Sequence, residues 1–87
     1  MASFKAVIID PVGMHARPAA LVVGEASKYS SDISIKTADK EGNLKSIMNV
    51  MALAIKTGTE VEIIANGSDA DNAIAGIQKV MKDNKVI

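Results

Sequence analysis

The chain holds one histidine, His15, in the stretch PVGMHARPAA, two positions before Arg17 and three before Pro18. An imidazole can act as nucleophile, general base or metal ligand. A metal site needs several convergent ligands, and a lone histidine in a chain without cysteine argues against one. No Ser-His-Asp spacing stands out, although such sets assemble in space rather than along the chain. Gly13 frees the backbone just before His15, and Pro18 fits the first turn of a helix, where its missing N–H is no loss. His15 is therefore expected at or just outside a helix N-terminus, with the N–H groups of Ala16 and Arg17 unpaired and facing outward. That end of a helix attracts anions and disfavours a cationic ring, which keeps the imidazole nucleophilic. Arg17 adds a planar donor fork matched to phosphate oxygens. The combination could carry a phosphoryl group on His15. Taken singly, each residue reads as an ordinary surface side chain.

The elements that must position this group follow from periodicity. Phe4 to Ile9 alternates Phe4, Ala6 and Ile8 against Lys5, Val7 and Ile9, which suits a largely covered strand. From about Ala16 to Lys28 the pattern is helical, with Ala19, Val22, Val23 and Ala26 as the core stripe. DISIKT is a half-buried strand, and ADKEGN a turn leading to a short strand near Lys40 to Asn43. Ser46 is placed to cap an apolar helix over IMNVMALAI, with Gly58 as its stop. EVEIIAN is the last strand. Ser68 is expected to cap the last helix, with Asp71 as reciprocal partner and Ala70, Ala73, Ile74, Ile77, Val80 and Met81 on its apolar face. Lys79, Lys82 and Lys85 gather toward its end. The order is β-α-β-β-α-β-α, with the sheet covered on one face.

Composition narrows the function classes. With 87 residues, 48% of them apolar, the chain has material for one domain (residues 1–87) and one aliphatic core. Ten basic and ten acidic residues balance, which argues against a long nucleic-acid footprint. No apolar run reaches membrane-spanning length and no signal peptide stands at the start, so a cytoplasmic location is expected.

GMHARPAA and KSIMNVMALAI, at this separation, resemble the HPr family, the histidine-containing phosphocarriers of the bacterial sugar phosphotransferase system. The likeness runs along essentially the whole chain. It implies an α+β open-faced β-sandwich, a four-stranded antiparallel sheet with three helices on one face. It also implies a carrier rather than an enzyme, with no cofactor and no metal, acting as a monomer. His15 would take the phosphoryl group at Nδ1 from enzyme I and pass it to sugar-specific IIA domains. Arg17 would stabilise the phosphate, and Ser46 matches the serine that an HPr serine kinase modifies in Gram-positive-type bacteria. Val12 stands where many relatives have a small polar residue, so here the backbone and Arg17 must hold the phosphate. Asn49, Ala52 and Ala54 likewise differ from the Gly or Ser often found in Gram-positive relatives.

Spacing marks a docking surface. On the second helix Val50, Leu53 and Ala54 form one arc and Ile47, Met48 and Met51 another, wider than a small core requires. Methionine adapts to several partners, although core filling is the alternative. On the first helix Ala16, Ala20 and Gly24 form a flat strip suited either to a partner helix or to close packing within the fold. Two other functions stay open: a relative that only regulates through Ser46, and a small α/β binding domain in which His15 is incidental.

Overall fold

A computed structural model describes all 87 residues. The elements are β1 (Ala2–Val7), α1 (Ala16–Ala26), β2 (Asp32–Lys36), β3 (Glu41–Asn43), α2 (Ile47–Ala52), β4 (Glu60–Asn66) and α3 (Ala70–Asp83). The strands form one antiparallel sheet in the order β1-β4-β2-β3, with Phe4 opposite Ile63 and Ile63 opposite Ile35. These inward residues meet Ala19, Val22 and Ala26 of α1, Val50 of α2, and Ala73, Ile77 and Met81 of α3 in a continuous core. Burying each large aliphatic side chain stabilises the fold by roughly 1.5–3 kcal/mol. The sheet therefore has one covered and one open face, as the alternation demands. On the open face Lys5, Glu62, Lys36 and Glu41 stand opposite one another in a single row across all four strands.

Four local expectations need correction. Strand β1 begins at Ala2, ends at Val7 and is covered on one face only, because Val7 and Ser3 lie on the open side. Ile8 is fully buried, but beyond the strand, where the chain turns under the core. Helix α1 stops at Ala26, where the Ser27 hydroxyl turns back to the Val23 carbonyl at 2.8 Å. Helix α2 stops at Ala52, not at Gly58. Ala54 takes the left-handed conformation (φ 51°), which lets Ile55 bury its side chain in the core. Gly58 instead uses its own positive φ (88°) at the entry to β4, where its N–H donates to the Ile8 carbonyl at 2.8 Å.

The fourth correction is at the start of α3, where Asp69 and not Ser68 is the N-cap residue. Its carboxylate makes no cap bond within the helix. It reaches across to the segment before β2 and accepts from Ser30 N–H at 2.9 Å, Ser31 N–H at 3.0 Å and the Ser31 hydroxyl. These bonds, the Ser31 hydroxyl first, hold the Asp69 carboxyl down at about 2. A long-range demand thus outcompeted the local capping box. Val80 is half-buried, and Lys85 lies past the helix with a φ of 57°.

Candidate functional site

His15 is the N-cap residue of α1 in extended conformation, and its carbonyl accepts the N–H of Ala19 at 3.0 Å. No side chain caps this helix. Pro18, buried in the first turn, has no N–H to offer. That leaves the N–H groups of Ala16 and Arg17 without a protein acceptor, at the positive end of the helix dipole. Arg17 is exposed and forms no ion pair. The His15 side chain is 39% exposed, enough for a reacting group to reach it.

The segment carrying His15 is tied on two sides. Met14 buries its side chain and donates its N–H to the Ile55 carbonyl at 2.9 Å, while Ile9 N–H donates to Val86 at 2.8 Å. The Thr57 hydroxyl donates to the Asp10 carbonyl. Gly13 allows this closeness. Its φ is 86°, and a Cβ there would stand 2.5 Å from the Ile55 carbonyl oxygen and 2.9 Å from Lys56 Cα. The imidazole is therefore carried by a short, anchored turn.

A cleft of about 240 Å³ opens beside the ring, lined by Asp10, His15, Arg17, Pro18, Leu21, Asn84 and Val86. His15 and Arg17 are thus brought together as their spacing implied. Asp10 and Asn84 join them unannounced. Nothing in the spacing of Asp10 from His15 signals that the loop folds the two side chains together.

Ser46 lies outside this cleft. It caps α2, its Oγ accepting the N–H and the side-chain amide of Asn49, each at 3.2 Å. Helix α2 packs against α1 through its inner side, where Val50 is fully buried and Leu53 half-buried. Ile47, Met48 and Met51 are exposed, so neither methionine fills the core. Ala16, Ala20 and Gly24 are exposed as well, and open space surrounds the position a Gly24 Cβ would take. Close packing within the fold is therefore not the reason for that glycine.

A histidine at an uncapped helix end, beside an arginine without an ion pair, on an open-faced sheet with helices on one side, is an arrangement chemically suited to hold an anionic group such as a phosphoryl. The family model described as "PTS HPr component phosphorylation site" matches residues 2–83. The phosphocarrier protein HPr of Mycoplasma capricolum subsp. capricolum is 60% identical over 87 residues, covering all of this chain and 98% of that protein. A solved mycoplasmal histidine-containing phosphocarrier protein superposes with a TM-score of 0.97 at 59% identity, covering 99% of this chain and 98% of that one. An HPr described as a dimer, from Thermoanaerobacter tengcongensis, gives a TM-score of 0.76 at 38% identity, with 97% of each chain covered. The chain belongs to the HPr family, the phosphocarrier proteins of the phosphotransferase system. It is a carrier and not an enzyme.

Proposed function

We propose that His15 accepts a phosphoryl group at Nδ1 from enzyme I and delivers it to sugar-specific IIA domains. The chain would work in the cytoplasm as one monomeric domain over residues 1–87. The observation that carries this reading is His15 at the uncapped N-terminus of α1, with the N–H groups of Ala16 and Arg17 and the free Arg17 guanidinium beside it. In the loading step the Nδ1 lone pair attacks the phosphorus of the phosphorylated donor. The P–N bond forms as the bond from phosphorus to the donor breaks, and that electron pair leaves with the donor. The non-bridging oxygens keep their negative charge, which the helix end and Arg17 are suited to hold. Delivery to the next acceptor is the same step in reverse. No helix of the chain is long and apolar enough to cross a membrane.

The test is mass spectrometry after incubation with phosphoenolpyruvate and enzyme I. One phosphoryl group should appear, labile in acid and stable in alkali as a phosphoramidate is, and His15→Ala should abolish it. Undiminished labelling of the variant would sink the assignment.

The same reading gives partners a landing surface at Ala16, Ala20 and Gly24 of α1 and Ile47, Met48 and Met51 of α2, all exposed. It also gives Ser46 a regulatory role as substrate of an HPr serine kinase. A phosphate on a helix N-cap adds negative charge where the dipole welcomes it, so the fold should survive. The same charge next to Ile47 would have to be desolvated when a partner docks. Ser46→Asp should keep the circular dichroism of the wild type and slow loading by enzyme I. An unchanged rate would leave Ser46 a structural cap alone.

A further inference from the structure

The loop before His15 holds a carboxylate against the ring nitrogen that the phosphoryl reaction does not use. Asp10 Oδ1 accepts the Val12 N–H at 3.0 Å, and the Asp10 carbonyl accepts the Gly13 N–H at 2.9 Å as well as the Thr57 hydroxyl. Pinned at three points, the same Oδ1 stands 3.4 Å from His15 Nε2, with the Asp10 side chain only 19% exposed. A nitrogen facing a carboxylate oxygen carries its proton, because two lone pairs would otherwise repel. The remaining ring nitrogen, Nδ1, then keeps its lone pair.

We propose that Asp10 is a positioning residue for His15, its carboxylate facing the Nε2–H and balancing the positive charge that the ring gains when Nδ1 bears a phosphoryl group. The proposal rests on the phosphocarrier reading above. No proton moves in the loading step. Nδ1 spends its lone pair on the P–N bond, the Nε2–H proton stays in place, and the resulting imidazolium faces a carboxylate. At 3.4 Å the two groups are in close contact without a formed hydrogen bond in the unphosphorylated chain, and a positive charge on the ring is what would draw them into one. The protonated ring is also the better leaving group when the phosphoryl group departs. Asp10 therefore sets the pH range over which the carrier discharges.

The charges facing His15 in the cleft are Asp10, from the loop after β1, and Arg17 of α1. Pro18 and Leu21 of α1, and Asn84 and Val86 from beyond α3, complete the walls without charge. Arg17 and Asp10 thus act on the ring in opposite senses. Arg17 addresses the phosphoryl oxygens, and Asp10 addresses the far nitrogen.

The experiment compares the full-length wild type, Asp10→Asn and Asp10→Ala by nuclear magnetic resonance. Asn keeps the acceptor for Val12 and loses only the charge, so it remains informative if Ala unfolds. In the phosphorylated proteins, phosphorus and ring-proton shifts are followed against pH. Loss of the Nε2 proton should move to lower pH in Asp10→Asn, where the facing negative charge is gone. In the unphosphorylated proteins the ring nitrogen shifts of His15 should report the Nε2–H tautomer in the wild type and a tautomer mixture in Asp10→Ala. An unchanged titration in Asp10→Asn, or an unchanged tautomer in folded Asp10→Ala, overturns the proposal. A wild type that enzyme I and phosphoenolpyruvate cannot label would instead overturn the phosphocarrier reading, while the tautomer measurement would still judge Asp10.

Discussion

On the open face of the sheet Lys5, Glu62, Lys36 and Glu41 face one another in a cross-strand row, each cation next to an anion. On the helical side Met48 is 79% exposed, with Ile47 and Met51 near 40%, and Arg17 has no counter-charge. The first surface alternates opposite charges across the strands, although none of the four side chains closes an ion pair. The second presents exposed apolar area beside a cation with no partner across a strand register. Size does not distinguish them usefully. A hollow of about 540 Å³, lined in part by Lys5, Lys36, Glu60 and Glu62, is larger than the 240 Å³ cleft at His15. The smaller one is where the proposed chemistry falls, because it holds the lone histidine and Arg17 at the uncapped end of α1.

If that contrast is right, changes on the helical side should alter transfer and spare stability. Arg17→Ala is the largest expected case. Transfer should slow by roughly 10²-fold, as when a preorganised donor to a developing charge is removed. Its melting free energy should stay within about ±0.5 kcal/mol of the wild type, as for an exposed substitution. Comparable losses of both would make Arg17 structural and erase the contrast at its strongest point.

Met48→Asp and Met51→Asp should each weaken partner-dependent transfer by about tenfold, since a buried interface charge without a partner is costly. The control is Glu62→Gln on the sheet face. It interrupts the charge row and should cost at most about 1 kcal/mol of stability, with no change in transfer. Enzyme I kinetics and thermal unfolding on the same preparations decide it. Transfer loss in Glu62→Gln, or none in both methionine variants, would reverse the roles of the two faces.

The smallest effect at neutral pH concerns the junction between the surfaces. The Asp69 carboxyl sits at about 2 in the folded chain, below its ordinary 3.8, so the unfolded chain binds more protons between those values. Its stabilising contribution is complete above about pH 4 and is lost as pH falls toward 2. Asp69→Asn should remove that part of the acid dependence and flatten the unfolding curve between pH 4 and 2. A variant with the same acid profile as the wild type would show that other carboxylates control acid unfolding.

Some of this was legible in the chain because it depends on neighbours a few residues apart. Alternation placed Ile33, Ile35, Val61, Ile63 and Ala65 inward, and the helical stripe placed Ala19, Val22 and Ala26 against them. His15, Pro18 and Arg17 marked the start of α1 because an N-terminus and its first turn are local features. Ser46 was legible as a cap for the same reason. Where two distant segments competed, local rules failed. Ser68 and Asp71 formed a plausible capping box, yet Asp69 took the N-cap position and spent its carboxylate on Ser30 and Ser31, some 38 residues earlier in the chain. Gly58 matched a helix stop, but burial of Ile55 ended α2 sooner and freed the glycine for the turn beside Ile8.

The sequence by itself determined the element order, the inward residues and the place of the lone histidine at a helix end, because periodicity and helix-end chemistry act over a single turn or pleat. Only the tertiary structure decided which nitrogen of His15 faces Asp10, which methionines stay in solvent and where α2 ends. Those outcomes depend on how the loops around residues 10 and 55 are pulled onto a shared core, and no spacing along the chain encodes that distance.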